Sequence, residues 1–201
     1  MDMFPMLIDG SWVDSESREY ADVINPATEE IFARVPRATQ KETDRALKAA
    51  QRAFPAWSSL SPFARADYLW RASDILEARK EKLGRFMTQE QGKPLNEAVG
   101  EVEKAVEMLR YYAEEGKRAY GQIVANTGPN DQSLVIKQPV GVVAALSAWN
   151  YPIELTGWKA AAALATGFVR RASCFLRSYS MRLLSQIRSR TRVALPVRSR
   201  R

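Results

Sequence analysis

The sequence contains no histidine and only one cysteine, Cys174, among its 201 residues. A single cysteine cannot form an internal disulfide, and the lack of histidine beside it argues against a zinc site. Nucleophilic systems in which histidine is the base, such as Ser-His-Asp and Cys-His, are excluded outright. Any chemistry carried by this chain therefore depends on other polar groups.

Long apolar runs and a secretory signal are also missing. A membrane-spanning helix needs about 18 or more consecutive apolar residues, and no stretch approaches that length. The opening Met-Asp-Met-Phe-Pro lacks the charged and apolar regions of a signal peptide. With 46% hydrophobic residues the chain can bury a core in one or two domains, and we expect a cytoplasmic protein without a membrane partner.

The net charge of +7 is distributed unevenly. Ten of the 30 basic residues are arginines that follow Gly167, and residues 168–201 contain no lysine, aspartate or glutamate. The 167 residues before them carry 20 basic and 23 acidic side chains. The basic character belongs to the last segment, so it does not indicate an anionic partner for the rest of the chain.

The first part of the chain has the pattern of short strands followed by amphipathic helices. Asp9-Gly10 between apolar positions is typical of a tight hairpin turn. Thr39 and Glu42 form a capping box that predicts one helix start. Ser61-Pro62 predicts a second start, for a helix whose buried face continues to Leu83.

A further helix is predicted by apolar residues at helical spacing from Ala98 to Tyr112. Its glutamates could indicate acid-base or metal chemistry: Glu97, Glu101, Glu103 and Glu107. They fall mostly off the apolar face, so exposure to solvent is the simpler interpretation.

The rest of the sequence is organised around residues 139–167. Val140–Leu146 is a continuous apolar run, which is typical of a strand buried on both faces. Pro152 restricts the backbone after it, and the alanine-rich segment that follows favours a helix ending at Gly167. A strand that enters a helix through a short polar turn is the first half of a βαβ unit, whose ligands lie at the carboxyl ends of the strands.

Trp149 and Asn150 lie in that turn. An asparagine amide there could donate hydrogen bonds to an oxyanion, and a large aromatic side chain could form one wall of a cofactor pocket. The simpler interpretation is structural, because asparagine favours turns and a tryptophan near an apolar strand usually packs in the core. Residue chemistry alone leaves both interpretations open and favours the structural one.

The segment Val-Gly-Val-Val-Ala-Ala-Leu-Ser-Ala-Trp-Asn-Tyr-Pro (140–152), followed by Trp-Lys-Ala-Ala-Ala-Ala-Leu-Ala-Thr-Gly (158–167), resembles the first nucleotide-domain strand and helix of the NAD(P)-dependent aldehyde dehydrogenase superfamily. The resemblance implies that the side-chain amide of Asn150 points into an oxyanion hole. It also implies that the nicotinamide end of the cofactor is lined by four residues: Leu146, Ser147, Ala148 and Trp149. Lys159 matches a family lysine near the same site. Ala148 stands where the family commonly has proline, which loosens the turn.

Two other motifs resemble the same family: Asn-Pro-Ala-Thr (25–28) and Glu-Gln-Gly-Lys-Pro (90–94). The implied fold is α/β, namely the N-terminal part of the aldehyde dehydrogenase fold, an incomplete Rossmann-like nucleotide-binding domain with a helical segment and a β arm. Residues 1–121 then form the N-terminal part of the NAD(P)-binding domain, and residues 141–167 form its first βα unit. Residues 122–140 form an arm that extends the sheet of a neighbouring subunit, which implies a homo-oligomer.

The resemblance covers residues 1–167 and then stops. The family pattern demands a valine-rich strand ending in Lys-Pro-Ser/Ala-Glu, whose lysine and glutamate hold the adenosine ribose, but here Phe-Val-Arg-Arg (168–171) follows. We hypothesise that residues 168–201 are a disordered, arginine-rich product of out-of-frame translation. The alternative is a tail that binds nucleic acid or an anionic surface, although it lacks the interleaved aromatic residues of single-strand binders.

The function implied by the resemblance is oxidation of a small aldehyde to a carboxylic acid with NAD or NADP. In the family a cysteine thiolate attacks the carbonyl and a glutamate-activated water cleaves the thioester. Both residues lie far beyond position 167 in family members, and Cys174 lies too early to be that thiolate. We therefore expect a truncated chain that is inactive alone and binds the cofactor weakly or not at all. The alternative is a non-catalytic subunit that docks through residues 122–140 on full-length relatives.

Overall fold

The computed structural model describes residues 2–125, 128, 131–167 and 169–171, with only the backbone described for Asp2 and for residues 169–171. Short strands come first, then four helices, a β-hairpin, and a strand, a helix and a strand at the end of the described chain. This architecture confirms the predicted α/β class.

The amino-terminal strands form a hairpin and a small sheet. Their bounds are β1 Asp2–Met3, β2 Met6–Ile8, β3 Ser11–Val13, β4 Tyr20–Ile24 and β5 Ile31–Pro36. β2 and β3 pair antiparallel around Asp9 and Gly10, whose φ angles of 53° and 79° suit the tight turn predicted there. β5 lies between β1, to which it is parallel, and β4, to which it is antiparallel.

The helices have the bounds α1 Gln40–Ser58, α2 Pro62–Glu77, α3 Lys80–Gln91, α4 Leu95–Glu115 and α5 Pro152–Ala165. α1 starts at the predicted capping box, where the backbone N–H of Thr39 donates to the Glu42 carboxylate at 2.6 Å. α2 starts at the predicted Ser61-Pro62. The prediction that this helix continues to Leu83 is wrong, because the backbone leaves helical geometry at Arg79 and Leu83 belongs to α3.

Helix α4 lies at the centre of the helical part, against α2, α3 and α5. These four helices contribute to a shared core, whose buried members are Leu76, Leu83, Met87, Ala98, Val102, Ala105, Val106 and Ile153. Gly157 permits a close approach of α5 to α4, because a Cβ there would lie 3.2 Å from the Cβ of Ala105. The start of α5 is therefore anchored on α4.

Strands β6 (Gln122–Ala125) and β7 (Gln132–Val135) form an antiparallel hairpin within the segment predicted to be an arm. Ile123 and Leu134 are mostly exposed on it, as is Ile136 just beyond β7. Exposed apolar strand pairs of this kind need cover from another surface.

Strands β8 (Val142–Ala144) and β9 (Val169–Arg171) are parallel, with α5 between them in the chain, and so complete a βαβ unit. β8 is shorter than predicted, and the prediction that the run from Val140 to Leu146 is buried on both faces is wrong: no residue of β8 is buried, and Val140 is 83% and Leu146 is 59% exposed. Burial of both faces requires elements packed above and below a sheet, and in the described part of the chain this sheet consists of two strands, β8 and β9.

Regular backbone also continues beyond Gly167. β9 lies inside the segment 168–201. The remainder of that segment, including Cys174, lies outside the described residues.

Candidate functional site

The carboxyl end of β8 leads into a turn and then into α5. Five of the six residues predicted to line a site lie in this turn: Leu146, Ser147, Ala148, Trp149 and Asn150. Ala145 before the turn is buried, whereas Trp149 is 73% exposed. The interpretation of Trp149 as a core residue is therefore wrong, and the turn presents an accessible aromatic surface beside Asn150.

Lys159, the remaining predicted site residue, reaches the same place from the second turn of α5. Its Nζ donates a hydrogen bond to the backbone carbonyl of Leu146. A second link joins the turn to the helix, since the hydroxyls of Ser147 and Thr156 lie 2.7 Å apart. The fold thus brings all six predicted residues together at the end of β8.

Glu101 is the residue that sequence reasoning placed wrongly. It was expected to face solvent with the other glutamates of its helix, but it is buried with 2% of its surface exposed. Its carboxylate accepts hydrogen bonds from the backbone N–H groups of Ile153 (2.8 Å) and Glu154 (3.2 Å) and pairs with Lys93. The apolar pattern of α4 could not reveal this, because the two amides lie more than 50 residues away in the sequence.

The backbone of the turn is held from outside by two further side chains. Lys93 Nζ donates to the carbonyl of Asn150 at 2.8 Å and lies 4.1 Å from the centroid of the Tyr151 ring. Gln91 donates to the carbonyl of Trp149. Both residues belong to the Glu-Gln-Gly-Lys-Pro segment, whose link to the site could be found only through its resemblance to the family.

The Asn150 side chain is exposed and makes no hydrogen bond to any residue of the described ranges. Its amide can therefore donate to a ligand at the end of β8. The helix amides nearby cannot do the same, because Pro152 has no N–H and the next two amides already donate to Glu101. In this turn the asparagine side chain is a donor available to a developing negative charge, whereas the first amides of the helix are not.

Within the described residues no three histidine, cysteine, aspartate or glutamate side chains are grouped in a way that could hold a metal ion. In the same part of the chain, none of the helices is both long and apolar enough to cross a membrane.

These features define an α/β protein with an accessible amide and an aromatic surface at the carboxyl end of a parallel strand, where such folds bind ligands. The family model described as "Aldehyde dehydrogenase family" matches residues 12–169. The chain belongs to the aldehyde dehydrogenase family, which confirms the resemblance drawn from its motifs.

Individual relatives agree with this assignment. The chain is 44% identical over 160 residues to the glutarate-semialdehyde dehydrogenase of Pseudomonas aeruginosa, a match that covers 80% of this chain and 33% of that protein. It is 46% identical over 161 residues to the mitochondrial succinate-semialdehyde dehydrogenase of Arabidopsis thaliana, covering 80% of this chain and 30% of that protein. The chain therefore spans about a third of the length of the curated relatives it matches.

A solved structure of an NADP-dependent enzyme of E. coli superimposes on this chain with a TM-score of 0.88 at 38% identity. The match covers 94% of this chain and 40% of that one. The fold is thus the predicted one, part of an aldehyde dehydrogenase.

Proposed function

We propose that the protein to which this chain belongs oxidises a small aldehyde to a carboxylic acid with NAD or NADP, and that Asn150 is the oxyanion-hole donor. The observation that carries the proposal is the exposed Asn150 amide at the end of β8, on a backbone held by Lys93. The names of the two relatives support a semialdehyde, an aldehyde with a carboxylate at its other end, as the substrate class.

In the proposed reaction the carbonyl oxygen gains negative charge when a nucleophile adds to the aldehyde carbon. The Asn150 amide stabilises that charge by donating a hydrogen bond to it. NAD or NADP, when bound, accepts the hydride that leaves the same carbon. The exposed apolar surfaces of Leu146 and Trp149 suit the face of a planar ring, so these residues would hold the nicotinamide end.

The 201-residue chain by itself is proposed to be inactive. The family resemblance places the nucleophile and the water-activating glutamate beyond residue 167, and the single cysteine here, Cys174, does not match the nucleophile position. The purified chain should form no NADH or NADPH with succinate semialdehyde. Aldehyde-dependent turnover by the chain alone would contradict this proposal.

The role of Asn150 is tested by joining residues 1–167 to the remaining part of the Pseudomonas aeruginosa relative. In a folded chimera with activity, Asn150→Ala should lower kcat by about 100- to 1,000-fold with little change in KM. The matched control is Asn96→Ala, an exposed asparagine on α4, which should leave kcat unchanged. A kcat for Asn150→Ala within threefold of the parent would remove the asparagine from the mechanism.

A second candidate function is docking of this chain on full-length relatives. It is favoured by the exposed apolar residues of the β6–β7 hairpin and its flank, Ile123, Leu134 and Ile136. The chain should then elute from a sizing column together with an intact relative, and Leu134→Lys should release it. If the mixture separates completely, the docking function is removed while the dehydrogenase assignment stands.

A further inference from the structure

The carboxylate of Glu101 is buried, so its oxygens need hydrogen-bond or ion-pair partners within the protein. Its side chain has no exposed surface, and a buried carboxylate without partners would be strongly unfavourable. It accepts from Ile153 and Glu154, two of the amides at the start of α5 that have no acceptor within their own helix. Tyr151, the residue at the N-cap, offers no side-chain cap. Glu101 of α4 thus caps α5 from outside.

Lys93 completes the arrangement by joining the cap to the turn. Its side chain is 12% exposed and its ammonium contacts both the Glu101 carboxylate and the Asn150 carbonyl. The Tyr151 ring lies over the same ammonium. One buried ion pair therefore holds three consecutive parts of the chain: the Asn150 carbonyl, the Tyr151 ring and the first free amides of α5.

The Asn150 side chain has no hydrogen bond of its own within the described residues, so the point from which its amide projects is set by the backbone that Lys93 holds. We propose that Lys93 and Glu101 are positioning residues, which together orient the Asn150 amide. This inference rests on the proposed function, in which that amide is the oxyanion donor. Neither residue touches the reacting atoms, so both act through the turn.

Substitutions of Glu101 and Lys93 should have different effects on amide exchange and on backbone motion. Glu101→Ala removes the acceptor of the Ile153 and Glu154 amides, so their exchange with solvent should accelerate about 10-fold or more beyond any acceleration of the α2 amides. Lys93→Met leaves that acceptor in place, so relative to the α2 amides the same two amides should exchange nearly as before, although the unpaired carboxylate lowers the stability of the whole fold. The loss should instead appear as increased motion of the Asn150 and Tyr151 backbone.

The experiment is NMR on the ¹⁵N-labelled 201-residue chain. Hydrogen exchange is followed at Ile153 and Glu154, the heteronuclear NOE is followed at Asn150 and Tyr151, and the amides of Leu69 and Leu76 in α2 serve as the internal reference. Lys93→Arg, which retains a cation, should restore much of the order lost in Lys93→Met. Lys104→Met is the matched control, because it breaks an exposed pair with Glu107 on the same helix.

If Glu101→Ala does not fold, Glu101→Gln tests the ion pair instead. It retains an acceptor oxygen for the two amides but loses the charge that attracts Lys93, so it should loosen the Asn150 and Tyr151 backbone as Lys93→Met does, without accelerating exchange at Ile153 and Glu154. Equal acceleration at α2 and at the start of α5 would show a global effect and overturn the proposal. So would a turn whose order is the same in Lys93→Met and in the Lys104→Met control.

This readout is independent of catalysis. If Asn150→Ala leaves kcat unchanged in the chimera while Lys93→Met loosens the turn, the oxyanion role fails and the positioning role survives. The converse result leaves Asn150 as the donor and removes the ion pair as the cause of its orientation.

Discussion

The two ends of helix α5 are held in the same manner by charges of opposite sign. At the amino end, Glu101 from α4 accepts hydrogen bonds from the first free amides. At the carboxyl end, the buried Arg65 from α2 donates from Nε to the carbonyl of Ala165 at 2.9 Å and also donates to the carbonyl of Leu60. Each charge has the sign that the helix dipole favours at its end.

The ends differ in how that charge is balanced. Glu101 is paired with Lys93, whereas no carboxylate among the described residues forms an ion pair with Arg65. Burial lowers the pKa of Arg65, yet a guanidinium remains charged at any ordinary pH. The end beside the candidate site is therefore held by an ion pair whose charges balance, and the distant end by a cation that donates to two backbone carbonyls and has no ion-pair partner among the described residues.

The largest effect is expected at the amino end. Glu101→Ala leaves Lys93 buried without its partner and should lower the free energy of unfolding by about 3–5 kcal/mol, measured by urea denaturation. The double variant Lys93→Met with Glu101→Leu should recover part of this loss, because no buried charge is then unpaired. A double variant less stable than Glu101→Ala would contradict this account.

At the carboxyl end the expected loss is smaller. Arg65→Met leaves the carbonyls of Ala165 and Leu60 without donors, and it also removes the cost of burying the cation. The net destabilisation should be about 2–3 kcal/mol in the same urea experiment. The control is Arg52→Met, which breaks an exposed pair with Asp9 and should change stability by less than about 1 kcal/mol. Equal losses in the two variants would show that the carbonyl bonds of Arg65 contribute little.

Packing at the same end provides a third comparison. A Cβ at Gly116 would lie 2.9 Å from the Cβ of Ala165 and 3.0 Å from its carbonyl oxygen, so Gly116→Ala should destabilise the fold by about 1–3 kcal/mol. A Cβ at Gly100 on α4 would have no atom within 4 Å. Gly100→Ala should therefore stabilise the fold by about 0.5–1 kcal/mol, because alanine has the higher helix propensity. Thermal unfolding of both variants measures the difference in sign.

The smallest effect concerns the start of α1, a helix end held by its own glutamate. Burial raises the pKa of Glu42, but hydrogen bonds from the Thr39 hydroxyl and from the backbone N–H groups of Glu16 and Thr39 outweigh it, and the pKa lies below its usual value of 4.5. Its stabilising contribution is therefore complete above pH 4.5 and is lost as pH falls through the lowered pKa.

Glu42→Gln should make the free energy of unfolding fall less steeply below pH 4.5, by about 1 kcal/mol in total. Stability measured between pH 6 and pH 3 checks this, with the exposed Glu103→Gln as the control. An unchanged pH profile would exclude Glu42 as a source of the acid sensitivity.

The helix starts show where sequence reasoning succeeds and where it fails. Thr39 and Glu42 are three residues apart, so their pairing is visible in the sequence as a capping box. The cap of α5 comes from Glu101, 52 residues before Ile153, and no local pattern links the two. The same limit applies to Arg65, whose acceptor Ala165 is 100 residues away.

The sequence by itself determined the local elements, since hairpin turns, capping boxes and helical periodicity depend on neighbours a few residues apart. It also determined the family, because the Ser-Ala-Trp-Asn-Tyr-Pro turn is a contiguous motif. Only the tertiary structure decided that Trp149 is exposed, that Glu101 is buried and that Lys93 joins it to the Asn150 turn. Burial and ion pairing are properties of side chains that packing brings together, so they appear only once α4 and α5 are in contact.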